Sequence, residues 1–368
     1  MAKYIYQHAN WTDFKWSDKS IQPVFGEVKW LQGLLLGQMN NLGFGFRDEA
    51  LLRTLTSDII KSSEIEGEHL PYDQVRSSIA RRLGLNVAGM VVSERNVEGV
   101  VDMLIDATHN HADSLTEERL FGWHASIFPD GYSGRYKIEV GRYRTGIMQI
   151  VSGAIGKERV HYEAVPPGEV KTEMDAFLKW FNSKTDLDHV LKAAIAHFWF
   201  IIIHPFDDGN GRIARAISDL LLTRSDGIKD RFYSLSSQIL EQRKEYYNIL
   251  QQVQYSTGDI TEWILWFLNC LKNALLHSQE QLRLALNKVE FWNKHENTLL
   301  NARQRLVLNK MLDGWEGNMK TSKWSKIAKC STDTALRDIQ DLVARNILRQ
   351  DNPGGRSTSY ILRPLKPA

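Results

Sequence analysis

The stretch HPFDDGNGR, residues 204–212, directly follows the apolar run FWFIII, residues 198–203. Pro205 disfavours helical geometry at the residue before it and cannot continue a helical hydrogen-bond ladder, so a helix is predicted to end at His204. The GNG run at 209–211 supplies a tight, permissive loop, after which a new helix is predicted to begin. The stretch therefore predicts a helix, a glycine-rich turn and a second helix.

The start of the second helix has the chemistry of an anion site. N–H groups in the first turn of a helix lack intrahelical acceptors, and the helix dipole is positive there. Arg212 and Arg215 are three residues apart and share a helix face. Two guanidinium groups at a positive helix end are unfavourable unless an anion is bound. This cost predicts a phosphorylated ligand.

Three further side chains complete the pattern. Asp207 and Asp208 offer hard oxygen ligands, and Mg²⁺, which keeps waters and phosphate oxygens, needs only one of them. His204, at a helix end beside the turn, is placed as a general base. Taken singly, such residues are more often a cap or a surface turn, but in this order they predict a phosphoryl- or nucleotidyl-transfer site.

Residues 204–215 match the signature HPFxDGNGRxxR at every defined position, and on these residues the chain resembles the Fic family. Fic enzymes transfer AMP from ATP to a hydroxyl side chain of a target protein. The resemblance implies a mainly α fold, with a Fic-type helical core and a β-hairpin flap. It also implies an N-terminal helical region and a C-terminal winged helix-turn-helix.

The resemblance gives each signature residue a role. His204 would deprotonate the target hydroxyl, which attacks the α-phosphate, and Asp208 would hold Mg²⁺. Arg212 would bind the α- and β-phosphates, and Arg215 the γ-phosphate. Phe206 would pack into the core and fix the loop. The anion hole would be formed by Gly209, Asn210 and Gly211.

A flap is predicted before this site. Two short β-prone runs, residues 146–151 and 158–164, flank a glycine-containing turn. In the Fic family this flap docks an extended target segment by strand addition. Family members contact nucleotide at the positions of Val151, Ser152 and Gly153. The segment beside the adenine corresponds to Tyr246 and Tyr247, although tyrosines at helical spacing are as often core residues.

A second motif, SSEIEG at residues 62–67, ends a predicted helix. Glu66 places a negative charge at the negative end of the helix dipole, so a cationic partner is expected. Ser62 lies one turn earlier on the same face. With Gly67, these residues satisfy the Fic inhibitory signature Ser/Thr-x-x-x-Glu-Gly/Asn, which implies that Glu66 pairs with Arg215 and holds ATP in a non-productive pose. In some relatives the same glutamate helps to remove AMP, and the sequence leaves that reaction open.

The chain of 368 residues is long enough for two or three domains. Helical spacing of apolar residues predicts helices over 49–66, 72–83, 93–110, 115–128, 169–183, 187–203, 236–255 and 259–277, with a connecting helix over 278–295. The predicted parts are an N-terminal helical region with the inhibitory helix, the Fic core, the connecting helix and the winged helix-turn-helix, at residues 1–112, 113–277, 278–300 and 301–368.

The composition of the chain bears on its binding partners and its cellular compartment. A net charge of +2 gives no global sign of nucleic-acid or membrane binding. The two cysteines have no metal-like spacing, and no apolar h-region or membrane-length run is present. A reducing, cytoplasmic location is therefore expected.

The sequence of the last segment, residues 301–368, does not decide between a DNA partner and a protein partner. Residues 331–345 are the predicted recognition helix, with Arg337 and nearby lysines available for phosphates. Asp333, Asp338 and Asp341 are expected to be exposed on the same helix and to repel DNA, so a protein partner or a homodimer is favoured. Two alternatives to the adenylyltransferase remain: a DNA-binding regulator whose core senses nucleotide without turnover, and a transferase with another nucleotide or phosphocholine donor.

Overall fold

The structure, a computed structural model, describes residues 3–40, 42–152, 159–314, 319–351 and 358–364. It is mainly helical, as predicted. The α-helices are α1 (Asp18–Asn40), α2 (Phe44–Ile65), α3 (Tyr72–Leu83), α4 (Arg95–His109), α5 (Glu117–Ile127), α6 (Pro167–Asn182), α7 (His189–Ile203), α8 (Asn210–Asp226), α9 (Leu235–Glu241), α10 (Arg243–Val253), α11 (Thr261–Lys294), α12 (Ala302–Leu312), α13 (Thr321–Ala328) and α14 (Thr332–Ala344).

The strands form three antiparallel pairs within the described residues. They are β1 (Tyr132–Ser133) with β2 (Tyr136–Lys137), β3 (Gln149–Ser152) with β4 (Arg159–Glu163), and β5 (Leu348–Gln350) with β6 (Tyr360–Leu362). The β3–β4 pair is the hairpin predicted as the flap, and its register shifts between Ile150 and Val151. The β1–β2 pair was not predicted, because two-residue strands leave no period in the sequence.

The chain divides into two compact units, residues 1–277 and 278–368. The finer boundaries predicted at 112/113 and 300/301 stay predictions. None of the helices in the described parts of the chain combines the length and the apolar character needed to cross a membrane.

Helices α7 and α8 form the centre of the first unit. The apolar run that ends α7 is buried except at Ile201, as expected for a helix without a polar face, and Phe198 and Phe200 are fully buried. Each such aromatic side chain contributes about 1.5–3 kcal/mol to folding. Trp263 of α11 adds a hydrogen bond from its Nε1–H to the Ala194 carbonyl, at 2.7 Å. The loop between α7 and α8 is therefore held between two rigid helices.

The end of α2 is set by a left-handed glycine. Gly67 has a φ of +83°, which side chains with a Cβ rarely adopt. The Gly67 N–H donates to the Glu64 carbonyl and the Glu68 N–H to the Ser63 carbonyl, both at 3.0 Å. This is a Schellman turn, and it places Glu66 and Glu68 just beyond the last turn of the helix.

Two helix boundaries differ from the prediction. The helix expected over 236–255 is two helices, α9 and α10, which meet at Gln242. No glycine or proline marks this break; instead Arg243 donates from Nε to the Ile65 carbonyl at 2.7 Å, a tertiary contact. Conversely, the helices expected over 259–277 and 278–295 are one continuous helix, α11, because the polar residues at the join do not interrupt helical geometry.

The second unit has its own core, in which Trp324, Ile339 and Leu342 are fully buried. It contains α12, α13, α14 and the β5–β6 pair, and the winged helix-turn-helix assignment stays a prediction. Asp338 corrects the expectation of an exposed acidic helix: it is 5% exposed and receives bonds from Arg303 at 2.8 and 3.0 Å. Its position on α14 faces inward, and its ion pair with Arg303 links α14 to α12.

Candidate active site

His204 lies at the end of α7 in a left-handed conformation, with φ 52° and ψ 60°. Its side chain is half-buried, and Nδ1 lies 3.2 Å from the Ile201 carbonyl. Because a carbonyl only accepts, this contact keeps the proton of the neutral ring on Nδ1 and leaves a lone pair on Nε2. Burial, with a smaller contribution from the Arg144 cation, lowers the pKa of His204 to about 4, although the hydrogen bond to the Ile201 carbonyl and the charges of Glu66 and Asp208 act in the opposite direction. At neutral pH the ring is therefore an unprotonated base.

Phe206 and His124 hold the loop that follows. Phe206 is fully buried, and its ring stacks on His124 with centroids 4.3 Å apart. The Gly141 N–H donates to His124 Nδ1 at 3.1 Å, so the proton lies on Nε2, which donates to the Asp208 carbonyl at 3.2 Å. Burial lowers the pKa of His124 to about 4, which keeps this neutral form. Sequence reasoning missed His124, which lies 80 residues before the loop in an ordinary amphipathic helix.

Asn210 ties the loop to itself. Its Oδ1 accepts from the Phe206 N–H at 3.0 Å, and its Nδ2 donates to the Phe206 carbonyl at 2.8 Å. The side chain is thus fully used inside the turn. Only the backbone N–H of Asn210 is left for the predicted anion hole.

Gly209 is a position that only glycine fits. Its φ is +79°, and an added Cβ would lie 2.7 Å from Ile127 Cδ1 and 2.8 Å from Phe128 Cε2. The residue is the N-cap of α8, so the amides of Asn210, Gly211 and Arg212 form the first helical turn. N–H groups at such a turn are the donors that bind phosphate.

The two aspartates are held differently. Asp207 accepts from the Glu139 N–H at 2.9 Å through Oδ2. Asp208 accepts from the Gly209 N–H at 2.6 Å through Oδ1, and from the Ser133 hydroxyl through Oδ2. Asp208 is partly exposed, and an acceptor-only carboxylate fits one ligand position of Mg²⁺ whose other ligands are phosphate and water. No group of three or more metal-binding side chains occurs among the described residues.

Arg215 is buried, with 1% exposure, and faces the end of α2. Its Nε donates to the Ser62 hydroxyl at 2.8 Å, and its Nη2 donates to the Ser62 carbonyl at 2.9 Å and to Glu66 Oε1 at 2.8 Å. Within the described parts of the chain Nη1 has no hydrogen-bond partner, and it would lie 3.1 Å from a Cβ built on Gly211. The Glu66–Arg215 contact predicted from the sequence is therefore present, and one guanidinium nitrogen still points at the glycine turn.

Glu66 also occupies the mouth of that turn. A Cβ built on Gly211 would collide with Glu66 Oε1. The carboxylate therefore lies directly against the first turn of α8, where its charge is stabilised by the helix dipole and by Arg215. An anion of similar size cannot use the same amides while Glu66 is there.

Arg212 has a second carboxylate partner that sequence reasoning missed. Its Nη1 donates to Glu68 Oε2 at 2.6 Å, and its guanidinium lies 4.8 Å from the centre of the Phe128 ring. The Arg212 side chain is 6% exposed, and its Nε is buried without a hydrogen-bond partner among the residues that the structure describes. Glu68 was overlooked because a glutamate beyond a helix end is typical of solvent-exposed sequence.

The remaining predicted residues are spread around the site. Tyr246 is 2% exposed and lies in the core, with its hydroxyl 2.9 Å from His197 Nε2, whereas Tyr247 is 42% exposed and stacks beside Arg243. Val151 and Ser152 lie in β3, and Gly153 lies outside the described residues. Their nucleotide contacts stay predictions.

Comparison with known proteins agrees with this geometry. Residues 114–222 match the sequence profile described as "Fic/DOC family", and this part of the chain is a Fic/DOC domain. Residues 4–85 match a profile described as "Domain of unknown function (DUF4172)". The Fic/DOC match covers α5 to α8 and includes His204, Arg212 and Arg215.

Two curated relatives carry the name "Protein adenylyltransferase Fic". That of Nematostella vectensis is 28% identical over 227 residues, 59% of this chain and 47% of the relative. That of Aedes aegypti is 28% identical over 223 residues, 59% of this chain and 40% of the relative. The matched part thus spans less than half of either relative. A crystal structure of a Fic family protein from Desulfovibrio desulfuricans G20 has a TM-score of 0.52 and 21% identity, covers 94% of this chain and 96% of that one, and shows the fold.

The buried histidines predict a specific pH dependence of stability. Burial lowers the pKa of His197 to about 3, and in the unfolded chain the imidazole returns to its ordinary value of about 6.5. Between these values the unfolded state binds a proton that the folded state does not, so stability is lost as pH falls. His197→Gln is expected to reduce the slope of the unfolding free energy against pH by up to about 1.4 kcal/mol per pH unit between pH 6 and 4.

The measurement is chemical unfolding of both proteins at constant ionic strength over that range. Asp219 and Asp226, whose pKa values burial raises to about 7 and about 6, oppose the histidines equally in both proteins. An identical pH slope in the variant would contradict the burial of a neutral His197.

Proposed function

We propose that the chain is an autoinhibited protein adenylyltransferase, which transfers AMP from Mg-ATP to a Tyr, Thr or Ser hydroxyl of a target protein or of itself. The observation that carries the proposal is a neutral His204 beside a glycine turn whose two arginines are both buried. The names of the curated relatives support the same class of nucleotidyl transfer.

The chemistry uses atoms that the chain itself supplies. Nε2 of His204 accepts the hydroxyl proton, the hydroxyl oxygen forms a bond to the α-phosphorus, and the bond from that phosphorus to the bridging oxygen of pyrophosphate breaks. The amides at the start of α8 stabilise the negative charge that develops on the phosphate oxygens. Asp208 would hold Mg²⁺, which when bound neutralises charge on the phosphates.

Autoinhibition follows from two ion pairs formed by a single turn. Glu66 binds Arg215 and Glu68 binds Arg212, so both arginines of the signature are neutralised by the end of α2. Each pair must be broken before its arginine binds a phosphate. Because α2 and α8 belong to one chain, the inhibition acts within one molecule. Removal of AMP from a modified target is part of the same proposal, with Glu66 as the residue that would orient the water.

A DNA-binding regulator is the second candidate, on a separate observation. Residues 278–368 contain 16 Lys and Arg against 9 Asp and Glu, a net charge of +7, whereas residues 1–277 carry a net charge of −5. Asp338, expected to repel DNA, is buried against Arg303, and Asp341 is bound by Arg345 at 2.8 Å. The positive net charge of this unit is compatible with phosphate contact. A protein partner, or a second copy of this chain, remains the other use of the same unit.

The location proposed for the enzyme is the cytoplasm. Cys270 and Cys330 are both free, as is usual in a reducing compartment.

The transfer reaction is tested with two variants. Glu66→Gly is expected to raise incorporation of labelled AMP into the protein itself, because Arg215 and the amide turn are released. His204→Ala in the Glu66→Gly background is expected to lower the rate on the order of 100- to 10,000-fold, with nucleotide binding retained, since only the base is lost.

The measurement is mass spectrometry of the protein and of lysate proteins after incubation with α-labelled ATP, beside other nucleotides and a phosphocholine donor. Equal incorporation in wild type and Glu66→Gly would remove the inhibitory role. Full activity in His204→Ala would remove the general base.

Glu68 is expected to act as a second inhibitory carboxylate. In the Glu66→Gly background, Glu68→Gln should tighten Mg-ATP binding about tenfold, because a charge-assisted bond to Arg212 no longer competes with phosphate. Isothermal titration calorimetry measures the affinity. Glu64→Gln is the matched control, since Glu64 lies in the last turn of α2, close to Glu68 in the sequence, but pairs with Lys61. An equal effect of both substitutions would show that only overall charge matters.

The DNA interpretation predicts salt-dependent binding of the whole chain to duplex DNA. Arg337→Ala should weaken binding uniformly across sequences and reduce the salt slope by about 1, because one phosphate contact is lost. Fluorescence anisotropy at several salt concentrations gives the slope. Absence of binding at low salt would exclude this candidate.

A further inference from the structure

Arg144 stands out because it is a buried cation whose partners are all backbone carbonyls. It lies between β2 and β3 and is 2% exposed. Nε donates to the His204 carbonyl at 2.7 Å, and Nη1 to the Gly146 carbonyl at 2.8 Å. Nη2 donates to the Val165 carbonyl at 2.5 Å and to the Ile203 carbonyl at 3.3 Å. Among the described residues no carboxylate forms an ion pair with it.

Such an arrangement is energetically costly, which indicates that the guanidinium group has a specific role. Burial of an unpaired charge is unfavourable, and burial lowers the pKa of Arg144 without discharging it. Only the planar five-donor fork of arginine reaches carbonyls in three separate segments at once. A lysine keeps the charge but presents a single donor group.

The first of these segments is the turn that bears the base. Arg144 binds the carbonyls of Ile203 and His204 through its side chain, and its backbone N–H donates to the Pro205 carbonyl at 2.9 Å. Three consecutive carbonyls are therefore held by one residue. His204 has a φ of +52°, a strained value for a residue with a Cβ, and such conformations persist only where the surroundings impose them.

The other two segments are the ends of the flap. Gly146 lies three residues before β3, and Val165 lies two residues after β4. The Ala164 N–H donates to the Met148 carbonyl at 3.0 Å and closes the same stem. A shift of the flap stem therefore cannot occur without breaking bonds that also hold His204.

We infer that Arg144 is a positioning residue, which fixes the distance between the flap and the His204 ring so that a hydroxyl docked on the flap meets Nε2. The inference rests on the proposed transfer function. The charge of Arg144 also lowers the pKa of His204, whereas the charges of Glu66 and Asp208 raise it, so removal of the cation raises the pKa of the base. Positioning and charge are thus separable by the choice of substitution.

The experiment compares Arg144→Lys and Arg144→Met in the full-length Glu66→Gly protein. Arg142→Met is the matched control, because Arg142 is exposed and forms an ion pair with Glu139, three residues before it in the chain. Both Arg144 variants are expected to lower the single-turnover rate of AMP transfer on the order of 100-fold, with unchanged Mg-ATP affinity. Arg144→Met alone should move the acidic limb of the pH–rate profile to higher pH.

A second readout does not depend on activity. Hydrogen exchange of peptides from residues 198–206 and 144–150 should speed up in both Arg144 variants and not in Arg142→Met, while exchange in α11 is unchanged. Unaltered exchange in folded Arg144 variants would overturn the inference. If the Glu66→Gly parent transfers no AMP but exchange still speeds up in its Arg144 variants, the proposed function is refuted, whereas the coupling of flap and turn is supported.

Loss of Mg-ATP affinity equal to the loss of rate would also overturn the inference, since Arg144 would then shape the nucleotide site and not the meeting of base and hydroxyl. If Arg144→Met unfolds, Arg144→Lys decides the matter, because it retains the buried charge and loses only the fork.

Discussion

The site depends on the meeting of two helix ends with opposite dipoles. The C-terminal end of α2 is negative and the N-terminal end of α8 is positive, and each places side chains of the same sign as its own end at the junction. Glu66 and Arg215 would each be unfavourable alone, but together they form a charge-assisted pair with 2.8 Å between nitrogen and oxygen. A phosphate anion offers Arg215 the same compensation. In the proposed enzyme, inhibition by Glu66 and binding of a nucleotide would therefore be two ways of compensating the same buried charge.

The turn around His204 is rigid, in contrast to the ion pair between Glu66 and Arg215. The carbonyls of Ile203, His204, Pro205, Phe206 and Asp208 each accept a hydrogen bond from Arg144, Asn210 or His124. A turn with so many bound carbonyls has little freedom to relax. The histidine is thus fixed before any ligand arrives, whereas the arginines are held by groups that can leave.

Local sequence signals were sufficient where the structure is locally determined. α3 spans Tyr72–Leu83 as predicted, and Thr116 caps α5 by accepting from the Arg119 N–H. The turn at 204–212 follows from proline and glycine chemistry, and the pairing of Glu66 with Arg215 followed from the family signature. What sequence could not reveal depends on partners far along the chain. Glu68, His124 and Asp338 look like ordinary polar residues in the sequence, and only the fold brings Arg212, the Asp208 carbonyl and Arg303 to them.

The Schellman turn at Gly67 has a wider consequence. Glu66 and Glu68 sit on either side of this one left-handed residue, so a displacement of the whole turn moves both carboxylates. Any event that straightens the turn, whether a partner gripping α2 or a proteolytic cut beside it, would free both guanidinium groups in one step. Such a molecule would respond to its activator in an all-or-none way and not gradually.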